Sequence, residues 1–169
     1  TEEITDEVIL QEKKYQSMSV YELCSVIDLL SPTTDSYPYV IDFRTDFYYI
    51  ANQALDRFCI PKNSFHNVIS NHKEFVYEPD YEKLKEEFDD LLKTDRCIHS
   101  MEYRWLALKK MPVWIHCKGY LVRDDNTKPL YMIGCINEIG ERQKADNVSG
   151  LLGETGLRQY MDQQDTPLE

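Results

Sequence analysis

Histidine and cysteine are the side chains of this sequence with the most specific chemistry, because both bind metal ions and both serve in catalysis. Cys97 and His99 are two positions apart, and His116 and Cys117 are adjacent. Adjacent residues of a strand point to opposite faces of a sheet, so His116 and Cys117 are not expected to bind one ion. The sequence also has no CxxC or HExxH pattern. We therefore predict core thiols, surface imidazoles and no metal site.

Carboxylates are the second set of candidates for chemistry. Glu86, Glu87, Asp89 and Asp90 form an acidic run. The run alternates with apolar residues at helical spacing, which predicts the solvated face of an amphipathic helix and not a catalytic pair. No Ser-His-Asp order and no glycine-rich phosphate loop is present. We expect no enzymatic activity in this chain.

Composition excludes several kinds of partner. The 169 residues carry a net charge of −11, which argues against nucleic acid and against an anionic membrane surface. No apolar run approaches the roughly 20 residues of a membrane span. The five cysteines are an odd number and lie mostly in apolar runs, as reduced thiols do. These features predict a cytoplasmic protein.

The first part of the chain predicts a helix and then a hairpin. In residues 1–36, Ser19 and Glu22 form a capping-box pattern before an apolar helical stripe that ends at Ser31-Pro32. From Tyr37 to Ile50, two β-type runs flank a polar turn at residues 44–46. Two short helices are predicted next, one at residues 51–58 and one within residues 61–71.

The second part predicts a long helix and three strands. The helix begins at Glu78-Pro79, and Tyr81, Leu84 and Phe88 belong to its apolar stripe. Alternating patterns at residues 101–108, 113–122 and 130–136 predict strands. Residues from Asn137 onward are expected to begin a charged helix. With the hairpin, the total is five antiparallel strands.

Several short motifs follow one another within residues 37–142. They are Asn52 and Ala54, Pro79 and Asp80, Glu102, Tyr103 and Arg104, Trp114, Arg123 and Asp124, and Met132, Ile133 and Gly134. In this order they resemble a PAS domain. Two positions depart from that family, since Glu138 stands for the usual Asp and Gly140 for the usual Thr.

The resemblance implies an α+β PAS fold: a five-stranded antiparallel sheet with short helices on one face, an N-terminal helix and a C-terminal signalling segment. In such a fold a small-molecule pocket lies between the sheet and the short helices. Strand alternation assigns the following residues to it: Ile41, Met101, Tyr103, Trp105, Ile115, Cys117, Met132, Gly134 and Ile136. The short helices are expected to add Phe58 and Phe65.

Two readings of this pocket stay open. It either holds an unknown small molecule or is filled by Tyr103 and Trp105, and the size of these side chains favours a filled or very small cavity. A flavin is not expected, because the region around Cys59 lacks the neighbouring residues that bind one in the light-sensing PAS subclass. Haem is not expected either, because the long helix has no histidine.

The end of the chain resembles a different family. Asp146, Val148, Ser149, Gly150 and Leu151 match the opening of a GGDEF (diguanylate cyclase) domain, of which residues 143–169 would contain only the linker and the start. This resemblance implies a cyclic di-GMP signalling protein in which the PAS domain regulates a GGDEF output domain, and it implies a homodimer. The residues expected to relay the signal are Glu138, Ile139, Gly140, Arg142 and Asp146.

The resulting hypothesis is a sensory module that couples ligand binding or dimerisation to the output domain. The alternative is a ligand-free PAS interaction module with a filled core.

Overall fold

A six-stranded antiparallel sheet is the central element of the fold. The computed structural model describes residues 14–140. The strands are β1 (Tyr37–Asp42), β2 (Phe47–Ile50), β3 (Ser64–His66), β4 (Ile98–Ala107), β5 (Met111–Arg123) and β6 (Pro129–Glu138). They are arranged in the order β3-β2-β1-β6-β5-β4, so the last strand lies in the middle of the sheet beside the first.

Three α-helices accompany the sheet in the described part of the chain. They are α1 (Val20–Leu30), α2 (Val68–Asn71) and α3 (Glu78–Lys93). The predicted capping box is confirmed, since Ser19 Oγ accepts from the Glu22 N–H and the Glu22 carboxylate accepts from the Ser19 N–H. None of the described helices is long and apolar enough to cross a membrane.

The two faces of the sheet bury different sets of side chains. Along β1, Tyr39 and Ile41 belong to the large core on the side of α2 and α3, whereas Val40 faces the other way. Helix α1 packs on that second face through Leu23 and Ile27, which are fully buried. Side-chain alternation therefore gives the sheet one internal face, called here the inner face, and one outer face partly covered by α1.

The predicted α+β architecture is confirmed, but the sheet has six strands where we predicted five. The extra strand is β3, which lies in the segment predicted to be helical around Phe65. It pairs with β2 through Tyr48 opposite Phe65, and Asn67 then turns the chain in a left-handed conformation (φ 55°) into the one-turn helix α2. Three residues are too few to show a period of two in sequence, so this edge strand was not predictable from the pattern.

The expected helix from Asn137 onward is wrong for residues 137–140, the part of it that the structure describes, because none of these residues is helical. Asn137 and Glu138 extend β6, where they pair with His116 and Ile115 of β5. Strand β5 spans 13 residues and so offers a ladder partner beyond the apolar part of β6. Charged residues at the end of a strand resemble a helix start when the partner strand is not known.

Candidate functional site

The residues predicted to line a pocket meet on the inner face of the sheet. The structure buries Ile41, Phe58, Tyr103, Trp105, Ile115, Cys117, Met132 and Ile136 in one core cluster, against which Phe65 and Met101 pack while partly buried. Gly134 is on β6 between Met132 and Ile136. The sequence patterns therefore grouped these side chains correctly, and their binding of a ligand stays a prediction.

Aromatic rings occupy much of the space in front of this face. The Trp105 side chain is fully buried, and its ring meets the rings of Phe58 and Phe75 edge-to-face with centroids 5.1 and 4.9 Å away. Tyr48 stacks on Tyr39 at 5.9 Å. Such ring pairs stabilise the fold by more than the burial of their apolar area alone, so this cluster is a well-determined part of the core.

Two glycines lie next to the Tyr39 side chain on the inner face of the sheet. Gly119 of β5 is opposite Gly134 of β6, and a Cβ at Gly119 would lie 2.5 Å from the Tyr39 hydroxyl. The Cys117 thiol donates a hydrogen bond to the same hydroxyl at 3.2 Å. A Cβ at Gly134 would overlap the Lys118 carbonyl oxygen. Gly134 thus has a packing role, because it lets the β5 and β6 backbones approach closely.

The polar groups of this core are held in their neutral forms. Burial raises the pKa of the Tyr39, Tyr48 and Tyr103 hydroxyls well above the ordinary value, and it raises the pKa of the Cys117 thiol to about 12. A thiol of this kind is protonated at neutral pH and is a poor nucleophile. The core can offer hydrogen bonds to a neutral molecule, but it does not offer an anionic nucleophile.

Two buried nitrogens of the inner face have unused hydrogen-bonding capacity. The Trp105 Nε1–H is near the Tyr103 hydroxyl but meets no acceptor in hydrogen-bonding geometry, and His99 Nε2 has no partner. Most buried polar atoms in proteins are paired. On the inner face these two nitrogens are exceptions to this pattern.

His99 also connects the sheet to α3. Its Nδ1 is 3.0 Å from Glu87 Oε2, and the same carboxylate binds the Arg96 guanidinium at 2.8 Å. Burial lowers the pKa of His99, so the neutral ring donates its Nδ1–H to Glu87. Burial would raise the pKa of Glu87, but the bonds from Arg96 and His99 outweigh it and the net shift is downward.

His72 is a second buried histidine, so the prediction of surface imidazoles is wrong for His72 and His99. The His72 ring lies within the aromatic cluster. Its Nδ1 donates to the Val68 carbonyl at 2.7 Å, and its ring is 4.6 Å from the Phe75 ring and 5.1 Å from the Tyr48 ring. Burial among these rings lowers the pKa of His72 to about 4.

We expect the protein to lose stability as the pH falls from 7 to 5. Between the ordinary histidine pKa of about 6.5 and the lowered value in the fold, the unfolded chain binds more protons than the folded one. For His72 the loss by pH 5 is about 2 kcal/mol, and His99 acts in the same direction. Urea unfolding at several pH values measures this loss of stability. His72→Gln should flatten the pH dependence and the exposed His66→Gln should not; equal slopes in all three proteins would contradict this assignment.

The histidines and cysteines do not form a metal site in the described residues. Cys117 is buried on the inner face, whereas His116 is on the outer face with its Nε2 2.8 Å from Ser100 Oγ, so the predicted opposite orientation is confirmed. Among residues 14–140, no group of three His, Cys, Asp or Glu side chains could hold a metal ion.

A double hydrogen-bonded ion pair marks the point where the chain leaves the sheet. The Arg57 Nε and Nη2 atoms donate to the two carboxylate oxygens of Glu138 at 2.9 and 2.6 Å. Ile139 is buried, and its N–H donates to the Trp114 carbonyl at 2.8 Å. Around Gly140 a Cβ would meet nothing within 4 Å. The other two predicted relay residues, Arg142 and Asp146, lie outside the described residues.

A second ion pair joins α3 to β4. Arg104 Nε and Nη2 donate to the Asp80 carboxylate at 2.9 and 2.8 Å, and the Arg104 N–H adds a third bond at 2.9 Å. Burial alone would raise the pKa of Asp80, but these bonds lower it. The Arg104 guanidinium also lies between the rings of Tyr77 and Trp114, at 4.5 and 4.6 Å. This arrangement fixes the long helix across the inner face.

Comparison with known protein families agrees with this architecture. The family model of the PAS fold matches residues 48–136, which is more than half of the chain. The chain belongs to the PAS fold family. No curated protein is a significant match to the sequence.

Solved structures share the PAS fold at low sequence identity. A sensory box histidine kinase/response regulator from Burkholderia thailandensis E264 aligns at 14% identity and a TM-score of 0.54, covering 78% of this chain and 97% of that one. The N-terminal domain of a diguanylate cyclase with PAS/PAC sensor from Marinobacter aquaeolei aligns at 20% identity and a TM-score of 0.50, covering 62% and 94%. At these identities the likeness shows the fold alone.

Several residues that shape the PAS core were not among the predicted site residues. Alternation with Ile41 along β1 would have placed Tyr39 on the inner face. The partners of Arg57 and His99 are 81 and 12 positions away and are known only from the fold. The partner of His72 is Val68, only four positions earlier.

Proposed function

We propose that this PAS domain is a regulatory module. It relays a change in its core, or the association of two subunits, to the part of the protein that follows Gly140. The observation that carries the proposal is the Arg57–Glu138 ion pair. Arg57 precedes Phe58, which packs against Trp105 in the core, and Glu138 is the last residue of β6. A displacement of the core rings is thereby coupled to the point where the chain leaves the sheet.

The proposed output is a GGDEF domain that makes cyclic di-GMP. This part of the proposal rests on the residues from Asp146 to Leu151, which match the opening of that family. The similar fold in Marinobacter aquaeolei comes from a diguanylate cyclase, so a PAS fold occurs next to such an output. We propose accordingly that the protein acts in the cytoplasm as a homodimer, because two GGDEF subunits pair for catalysis.

A second candidate function is an interaction module without a ligand. The observation that favours it is the aromatic filling of the inner face around Trp105 and Tyr48, both almost completely buried. The observation that favours a ligand instead is the unused hydrogen-bonding capacity of Trp105 Nε1 and His99 Nε2. A ligand of this core would be small and neutral, and we propose neither flavin nor haem.

Native mass spectrometry of the purified chain, compared with its denatured mass, separates these functions. A dimer with a reproducible extra mass would support the ligand-sensing module and give the class of the compound. A dimer without an adduct would support the interaction module. A monomer without an adduct, over micromolar concentrations, would contradict the proposal in both forms.

A further inference from the structure

An exposed apolar surface lies beside the point where the chain leaves the sheet. We name it the exit surface and define it as Leu108, Met111 and Pro112, which are exposed, with Val113 and Trp114, which are partly buried. Leu108 and Met111 are 51 and 63% exposed. The last three residues also line a surface cavity of about 350 Å³, together with Arg104, Glu138, Ile139 and Gly140.

The turn between β4 and β5 carries Leu108 and Met111 at the exposed end of the surface. Ala107 and Met111 close the turn as a strand pair, and the Leu108 N–H donates to the Arg57 carbonyl at 3.0 Å. Between them, Lys109 and Lys110 both have left-handed backbone conformations, with φ of 67 and 61°. Side-chain-bearing residues adopt this conformation at a cost, and the strain is tolerated where the surroundings or the function require it.

The chain continues from the edge of this surface. The Ile139 N–H is bonded to the Trp114 carbonyl, and Met111 is three residues from Trp114 along β5, a distance of about 10 Å. In residues 141–147 Ala145 is the only apolar residue. The first apolar group comes next, with Val148, Leu151 and Leu152.

Charge complements this apolar match. The exit surface carries Lys109 and Lys110 between Leu108 and Met111, in a chain whose net charge is −11. The apolar group at residues 148–152 is flanked by Asp146 and Glu154. The segment therefore offers apolar side chains with acidic neighbours to a surface of apolar side chains with basic neighbours.

We propose that the exit surface binds residues 148–152 of the same chain. The eight steps from Gly140 to Val148 span about 12 Å as a helix and at most about 29 Å when extended, so this segment reaches across the surface. A linker of this length keeps the segment near the exit surface at an effective concentration in the millimolar range. In dilute solution the concentration of a second copy of the chain is lower.

This inference rests on the proposed function and makes it more specific. It places the start of the following domain directly against the β4–β5 turn, where the output would contact the PAS domain itself and not only a connecting helix. A shift of β5 relative to β6 would then move the contact.

Photochemical cross-linking tests the contact in the full 169-residue chain. Met111 is replaced by the photoreactive residue p-benzoylphenylalanine, and cross-linked peptides are identified by mass spectrometry. We expect a cross-link to the peptide containing residues 148–152, at the mass of one chain and with a yield independent of protein concentration. The same photoreactive residue in place of Leu29, which is 74% exposed on α1, is the matched control and should not reach this peptide.

A variant of the segment makes the test specific. Leu151→Ser/Leu152→Ser should lower the cross-link yield by about tenfold or more, because each leucine loses its apolar burial. A cross-link found only between two chains would overturn the proposal in favour of a second copy. Absence of the cross-link, or an unchanged yield in the double variant, would also overturn it. These readouts need no ligand. The cross-linking test can therefore fail while the native mass spectrometry result supports the proposed function, and the native mass spectrometry test can fail while the cross-link is found.

Discussion

Gly134→Ala is expected to lower the free energy of unfolding by about 3 kcal/mol or more, at the upper end for overpacking. The added methyl group would overlap the Lys118 carbonyl oxygen and lie 2.6 Å from Gly119 Cα. Both are backbone atoms, so the clash can be relieved only by moving β5 away from β6. Urea unfolding followed by circular dichroism measures the loss.

Gly140→Ala is the matched control for this prediction. It is the same substitution six residues further along the chain, at a position where a Cβ meets nothing within 4 Å. It should change the free energy of unfolding by less than about 1 kcal/mol. Equal stability of Gly134→Ala and the wild type would show that the two strands are not as close as described.

Trp105→Ala is the second substitution with a large expected effect. Loss of this fully buried indole removes ring contacts to Phe58, Phe75 and Tyr103 and should cost about 3–5 kcal/mol. If the core binds a ligand, the variant should also lose the extra mass in native mass spectrometry. Chemical denaturation measures the free energy of unfolding, whether or not the core binds a ligand.

The partly exposed Trp114→Ala is the control for Trp105→Ala. Trp114 lies on the outer face and stacks on the Arg104 guanidinium, so its replacement should lower the free energy of unfolding by clearly less. An unchanged unfolding midpoint for Trp105→Ala would contradict both the ligand-sensing and the filled-core reading, because both place this residue in the centre of the core.

Sequence patterns predicted the parts of the fold that depend on repeated local signals. Alternation over residues 101–108 and 113–122 placed Tyr103, Trp105 and Cys117 on one face of the sheet. Helical spacing over 16 residues gave α3, and the Ser19–Glu22 capping box gave the start of α1. These features were predictable because the same pattern recurs over many neighbouring residues.

Features that depend on long-range partners were not predictable in the same way. Gly134 was assigned to a pocket because it shares a face with Met132, but its close approach to the backbone of β5 was not predicted. Glu138 was expected to relay a signal from a helix, whereas it ends a strand and binds Arg57, 81 positions earlier. Pairing of this kind is set by the sheet order, which no local pattern contains.

The central claim is that the core and the end of β6 are coupled through Arg57 and Glu138. Hydrogen exchange of the Ile139 amide, measured by NMR, tests it most directly. Phe58→Leu should speed this exchange more than that of the Leu23 amide in α1, which reports general destabilisation. In an Arg57→Gln background, Phe58→Leu should have no selective effect on Ile139. Equal changes at both amides, or the same selective change without Arg57, would contradict the account.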